Sequence, residues 1–226
     1  MQSVNMSNMK LHAQDFFDFS DFDHKILFEK GEFVWQALSA LKEYMDDLLF
    51  VKSMTPFFQE GIFLENPDKI VIGRGTKIER GAYLKGPCWI GEGSIIRHGA
   101  YVREYVLTGK GCVIGHATEI KHSILLDGVH AAHFNYVGDS ILGNRVTLGA
   151  GAKCANFRLD NRKIPIRWQM QKIETDLKKL GAILGDYAQL GCNAVTNPGT
   201  LLLPKVVCAP CLNISGVVTS STILKR

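Results

Sequence analysis

Apolar residues recur along most of the chain at steps of six. From Ile72 the positions in step are Ile72, Ile78, Leu84, Ile90, Ile96, Val102, Thr108, Ile114, Ile120, Leu126 and Ala132, nine of them Ile, Leu or Val. Four places after each stands mostly a small or β-branched residue, as at Thr76, Ala82, Cys88, Ser94 and Ala100. A helix would smear this period around its circumference. A parallel β-helix keeps it, because each hexad there supplies one short strand and one turn, and three hexads close a triangular coil. The pattern resumes at Leu142, Leu148 and Cys154, then at Leu184, Leu190, Thr196, Leu202, Cys208 and Ile214, which predicts about seven coils. Glycines one place after the apolar residue, such as Gly73, Gly91 and Gly115, suit the corners.

Two interruptions break the rhythm. Ala132 and Leu142 are ten apart rather than twelve, and the gap holds His133, Phe134, Asn135 and Tyr136, so the departure from the rule is expected there. Residues 158–182 form an insert in which Arg158, Arg162, Lys163, Arg167, Lys172, Lys178 and Lys179 outnumber Asp160, Glu174 and Asp176. It reads either as a solvated hairpin or short helix, or as a basic arm that meets an anion. Before the repeats, Phe33, Val34, Ala37, Leu38, Leu41, Met45, Leu48 and Leu49 share one side of a helix expected over 32–50, which would cover the open end of the first coil. Asp15 to Asp23 alternates acids with Phe16, Phe17, Phe19 and Phe22 and reads in part as a docked peptide, with a protein-binding segment as the alternative. The chain thus divides into an N-terminal helical segment and cap, 1–68, and a repeat domain, 69–226.

Composition narrows the class. Of 226 residues 46% are hydrophobic and 21% charged, ordinary for a soluble globular chain, and 22 glycines fit a fold with many tight turns. A formal charge of +4 is too small to point to nucleic acid. No stretch approaches the roughly 18 apolar residues of a membrane span, and Met1 to Lys10 lacks the apolar core of a secretory signal, so the expected location is cytoplasmic. Six cysteines do not make a disulfide scaffold, and the Cys208–Cys211 pair lacks the second pair of a zinc site or the context of a redox motif, so no metal is expected.

Residues eighteen apart in such a coil stack at about 4.8 Å. Arg103 and Lys121 are such a pair, and like charges directly opposite are destabilising, so they must either splay into solvent or hold an anion such as phosphate between them. His98 and His116 stack by the same arithmetic and are given no role. His133 is the candidate base: it ends the regular run, Tyr136 follows it, Arg103 and Lys121 precede it, and Asn156 and the basic arm come after. An imidazole beside a cationic cradle suits proton removal from an amine or hydroxyl of a phosphorylated substrate.

The runs His133-Phe-Asn-Tyr-Val-Gly-Asp139, Leu148-Gly-Ala-Gly-Ala152 and Cys154-Ala-Asn-Phe157 resemble the acetyltransferase half of the bifunctional N-acetylglucosamine-1-phosphate uridylyltransferase and glucosamine-1-phosphate acetyltransferase family. The run from Ala155 to Asp160, with the longer insert after it, is closer to the archaeal-type sugar-1-phosphate nucleotidylyltransferase and acetyltransferase relatives. The likeness covers about residues 70–220. It implies an all-β fold, a left-handed parallel β-helix of hexapeptide repeats with a short N-terminal helical cap, and a homotrimer with its sites between neighbouring copies. It implies acetyl-CoA as donor and a hexosamine 1-phosphate as acceptor. His133 falls on the family's general base, Arg103 and Lys121 on its phosphate ligands, Tyr136 and Asn156 on its sugar contacts. Arg162 replaces a lysine, keeping the charge and changing its geometry. Thr147 replaces an asparagine near the sugar, which leaves the sugar's identity open. Cys192 falls on a serine that meets the donor's acetyl end, and backbone amides near Ala150 or Cys192 are candidates to stabilise the oxyanion. The family's nucleotidyltransferase half opens on a Gly-rich loop that Gly73-Arg-Gly-Thr-Lys77 imitates only from inside the first hexad, so no nucleotidyl transfer is expected. The alternatives are an acyltransferase for another sugar or nucleotide-sugar, and a non-catalytic binding or assembly module.

Overall fold

The computed structural model describes residues 10–51, 60–219 and 223–224, without the side chains of 50, 51 and 223. The reading of Met1 to Lys10 falls outside these residues, Lys10 apart. Three eight-stranded parallel sheets, here faces A, B and C, enclose the core of a left-handed parallel β-helix. Strands of two to four residues follow one another A, B, C around each coil, so that Leu84 lies over Val102 on face A and Ile96 over Ile114 on face C. Eight strands per face exceed the expected seven coils, because Phe63–Glu65 precedes the hexad run and Val217–Val218 and Ile223–Leu224 follow it.

Faces A and C alternate as half-buried strands should, with Val102 inside and Tyr101 outside. Face B does not. Val106–Thr108, Ser123–Leu125, Ala182–Leu184 and Thr200–Leu202 bury all three of their residues. An apolar outer side needs a cover: Phe16, Phe17, Phe22, Phe28 and Trp35 of the N-terminal segment, with Leu38, Leu41 and Met45 of helix α1 (Gln36–Val51), join the same hydrophobic core, and the insert strand Pro165–Trp168 packs against Val217–Val218 at the C-terminal end of face B. Polar contacts fix its place. Asp186 accepts from the Asp18 amide at 2.8 Å and the Asn144 amide at 2.7 Å, and Lys110 pairs with Asp23 at 2.9 Å. His24 meets Trp89 edge-on at 5.0 Å, and Lys42 of α1 lies over the Tyr105 ring. The Asp15–Asp23 stretch is therefore docked, as its pattern suggests. Helix α1 meets the solenoid at Tyr105, where Lys42 lies over the ring.

The break in the repeat sits elsewhere than at His133. Four residues, Arg103 to Val106, link Val102 to Leu107, but only three, Lys121 to Ser123, link Ile120 to Ile124, and three, Gly138 to Ser140, link Val137 to Ile141. One residue is missing from each of two A–B corners. The turn that carries His133 keeps its regular length, six from Ala131 to Val137 as from Ile114 to Ile120. Ile124, Leu125 and Leu126 are all fully buried, so the apolar signal there is blind to the slip, and Ala132 is only half-buried.

The corner glycines serve close approach rather than unusual backbone angles. A Cβ on Gly115 would lie 1.7 Å from the Ala132 carbonyl oxygen, and one on Gly91 2.1 Å from that of Gly109. Cys88, Cys112, Cys154 and Cys208 are buried small side chains, while Cys192 and Cys211 are exposed, so the CxxC thiols face opposite ways. Within the insert, Pro165–Trp168 and Gln171–Glu174 form an antiparallel hairpin, which decides between hairpin and helix. Its turn residues Gln169 and Met170 both have positive φ, the type I′ geometry that matches strand twist. No helix among the described residues is long and apolar enough to cross a membrane.

Candidate active site

Arg103 and Lys121 stand one coil apart at the A–B corner, as their spacing requires, for the Arg103 amide bonds the Ile120 carbonyl in the ladder. Neither faces the other's charge unshielded. Arg103 Nη1 donates to Glu119 Oε1 at 2.9 Å, and Lys121 Nζ donates to Asp139 Oδ2 at 3.0 Å. Carboxylates thus answer the repulsion, an outcome beside the splaying or bound anion that spacing suggested.

Asp139 is the hub. It sits in the second shortened corner with φ +47°, and His122 sits in the first with φ +42°, a left-handed conformation that Asp and His tolerate better than most residues. Asn156 Nδ2 also donates to Asp139 Oδ2, and His122 Nδ1 lies 3.0 Å from Oδ1. Burial alone would raise the Asp139 carboxyl, but His122, Asn156 and the Lys121 charge together hold it below the ordinary carboxylate range. Tyr136 OH donates to Asn156 Oδ1 at 3.5 Å. Burial, then the Glu119 and Asp139 charges, push that phenol up, so it remains a donor at neutral pH. Gly138 makes the contact possible: a Cβ there would stand 2.7 Å from Asn156 Nδ2 and 2.8 Å from Tyr136 OH.

His133 lies at the opposite edge of face A, at the C–A corner, exposed and in register with His116. Buried Asn135 pins this turn by donating to the Gly149 carbonyl at 2.8 Å while accepting from the His133 amide at 3.2 Å. Ala150 and Cys192 follow on the next coils of the same corner, for Gly151 N donates to the His133 carbonyl and Asn193 N to that of Ala150. A column of corner residues therefore runs parallel to the solenoid axis on one edge of face A. A polar cluster of two cations, carboxylates, an amide and a phenol lines the other.

Two expected residues stand apart. Thr147 is on face C, in a cavity of about 590 Å³ between the N-terminal segment and the B–C corner, with Asp18, Asp127 and Arg145. Arg162 is exposed on the insert, its amide bonded to Asp160. The sequence reading overlooked Glu119, His122 and Asp139. Asp139 ends the quoted motif and Glu119 lies two places before Lys121, so both were visible as charges, but nothing in the spacing paired Glu119 with Arg103 or Asp139 with Lys121.

Residues 84–217 match the family described as GMPPB C-terminal domain. The chain belongs to that family. Every member of the polar cluster falls inside the matched GMPPB C-terminal domain, while the segment covering face B lies before it. The bifunctional sugar-1-phosphate nucleotidylyltransferase/acetyltransferase of Sulfurisphaera tokodaii is 30% identical over 165 residues, 73% of this chain and 40% of that protein. The uncharacterized acetyltransferase YaiX of Escherichia coli O6:K15:H31 is 32% identical over 146 residues, 65% of this chain and 64% of the other. The chain spans less than two thirds of either relative's length. The acetyltransferase domain of PglB from Neisseria gonorrhoeae aligns with a TM-score of 0.37 and 13% identity over 82% of this chain and 62% of that one.

Proposed function

We propose that the chain is an acetyl-CoA-dependent N-acetyltransferase for a hexosamine 1-phosphate in nucleotide-sugar precursor synthesis, working in the cytoplasm as a homotrimer. The observation that carries this reading is the gathering of Arg103, Lys121, Tyr136 and Asn156 at one edge of face A, with His133 at the other, inside the GMPPB C-terminal domain match. Acetyl-CoA lies along the corner column past Cys192 and Ala150 to His133. Arg103 and Lys121, with Arg162 reaching in from the insert, hold the phosphate, and Tyr136 and Asn156 orient the sugar.

The amine nitrogen attacks the thioester carbonyl carbon, and His133 accepts the proton that nitrogen sheds. Amides beside Ala150 or Cys192 meet the oxyanion. Collapse of the adduct breaks the carbon–sulfur bond, and the proton passes from His133 to the departing thiolate. Thr147, on face C, reaches the acceptor only from a neighbouring copy, which a closed threefold ring supplies.

The test is a screen of coenzyme A thioesters against amino sugars and their phosphates, read as released thiol. Turnover of acetyl-CoA with glucosamine 1-phosphate is the expected result. Preference for a longer acyl chain or another sugar would reassign donor or acceptor, and no release with any pair would leave a binding module.

A further inference from the structure

The A–B corner carries less positive charge than its sequence suggests. Arg103 and Lys121 stand against three carboxylates, Glu104, Glu119 and Asp139, and Lys42 of α1 lies over the Tyr105 ring of the same corner at 5.7 Å, so every cation here is matched by a carboxylate. Lys85, one coil away, is balanced by Glu65 at 3.1 Å. A phosphomonoester dianion brought here meets a site that already has its counter-ions.

His122 is the group that can change this balance. Asp139 faces it from the following coil at 3.0 Å, the Tyr105 ring packs edge-on at 6.4 Å, and its amide bonds the Glu104 carbonyl at 3.1 Å. Lys121 adjoins it in the chain, and Arg103 lies under Lys121. His122 Nδ1 and Arg103 Nε are enclosed at this corner, the first 3.0 Å from Asp139 Oδ1 and the second 3.9 Å from Glu104 Oε2, itself an enclosed oxygen without a hydrogen bond. The His122 side chain is still 30% exposed, so a ligand can reach its ring.

We propose that a phosphomonoester binds at this corner together with one proton, taken up by His122. The protonated ring keeps one N–H toward Asp139 and offers the other to a phosphate oxygen, and it supplies a positive charge that the matched cations do not. This role rests on the phosphate-binding reading above and adds to it a residue, His122, and the pH dependence that an imidazole brings.

The experiment is calorimetric titration of the full chain with N-acetylglucosamine 1-phosphate, which has no amine to titrate and whose phosphate is fully ionised above about pH 7. On the alkaline side of the imidazole transition the dissociation constant should rise about tenfold per pH unit. Heats in two buffers of different ionisation enthalpy should report about one proton taken up per site. His122→Asn, which suits a left-handed backbone, should flatten the pH dependence and abolish the uptake, while His133→Ala should retain both. A flat profile in the native protein, or a pH dependence that survives His122→Asn or vanishes in His133→Ala, overturns the inference and leaves the phosphate site standing. Absence of binding at every pH overturns both. The native profile decides even where the His122 variant does not fold.

Discussion

Replacing Asp139 with Asn tests whether one carboxylate organises the acceptor edge. The Asp139 side chain is 7% exposed and that of Lys121 14%, so the substitution strands a largely buried ammonium. Breaking a buried pair by removing one partner costs about 3–5 kcal/mol. Two features reduce that here: Lys121 keeps some contact with water, and the Asn carbonyl still accepts from one of the two donors, Lys121 and Asn156, that share Oδ2. The expected loss is therefore about 2–4 kcal/mol, or very roughly 4–16 °C in Tm for a chain of this size. The assay is urea and thermal unfolding at fixed protein concentration, since an oligomer's Tm depends on concentration. Adding Lys121→Met should recover part of the loss, because the uncompensated charge leaves with it. The pH dependence has a definite sign. The Asp139 carboxyl is held below its ordinary value, so its contribution is complete above the unfolded-state value of about 3.9 and fades as pH falls through the lower folded value. Below the imidazole range the gap between native protein and variant should narrow from about pH 5 towards pH 3. A variant within about 0.5 kcal/mol of the native protein at about pH 7, or a gap that widens between about pH 5 and 3, would refute the hub.

Gly115→Ala should cost more than about 3 kcal/mol by equilibrium unfolding, because backbone must yield to backbone, whereas Gly111→Ala should cost about 1–2 kcal/mol, having φ +65° but no atom within 4 Å of its Cβ; the reverse order would contradict the close-approach account. His133→Ala should lower kcat by about a hundredfold to ten-thousandfold and leave acetyl-CoA binding nearly intact, and unchanged kcat would remove it as the base. Arg103→Ala should raise KM for the sugar phosphate with a smaller change in kcat; equal turnover of an unphosphorylated amino sugar would count against the phosphate site. Light scattering at micromolar concentration should report three copies, and a monomer would leave Thr147 with no route to the acceptor.

The period of six, by itself, determined the solenoid, because a coil that closes on three short strands returns its inward positions to the core at fixed intervals, whatever the residues between them. Stacking arithmetic likewise placed Arg103 over Lys121 and His98 over His116, whose rings lie 5.6 Å apart. Apolar triplets such as Val106–Thr108 and Thr200–Leu202 already held the sign of a face buried on both sides. Charge compensation and corner geometry were decided only by the tertiary structure. A missing residue at an A–B corner leaves no mark where Ile124, Leu125 and Leu126 are all apolar, yet it sets where Asp139 stands between Lys121, His122 and Asn156. Periodicity reports which side chains point inward. It does not report how far an outward carboxylate reaches, and that reach determines whether a stacked pair of cations is free for a ligand or already neutralised within the chain.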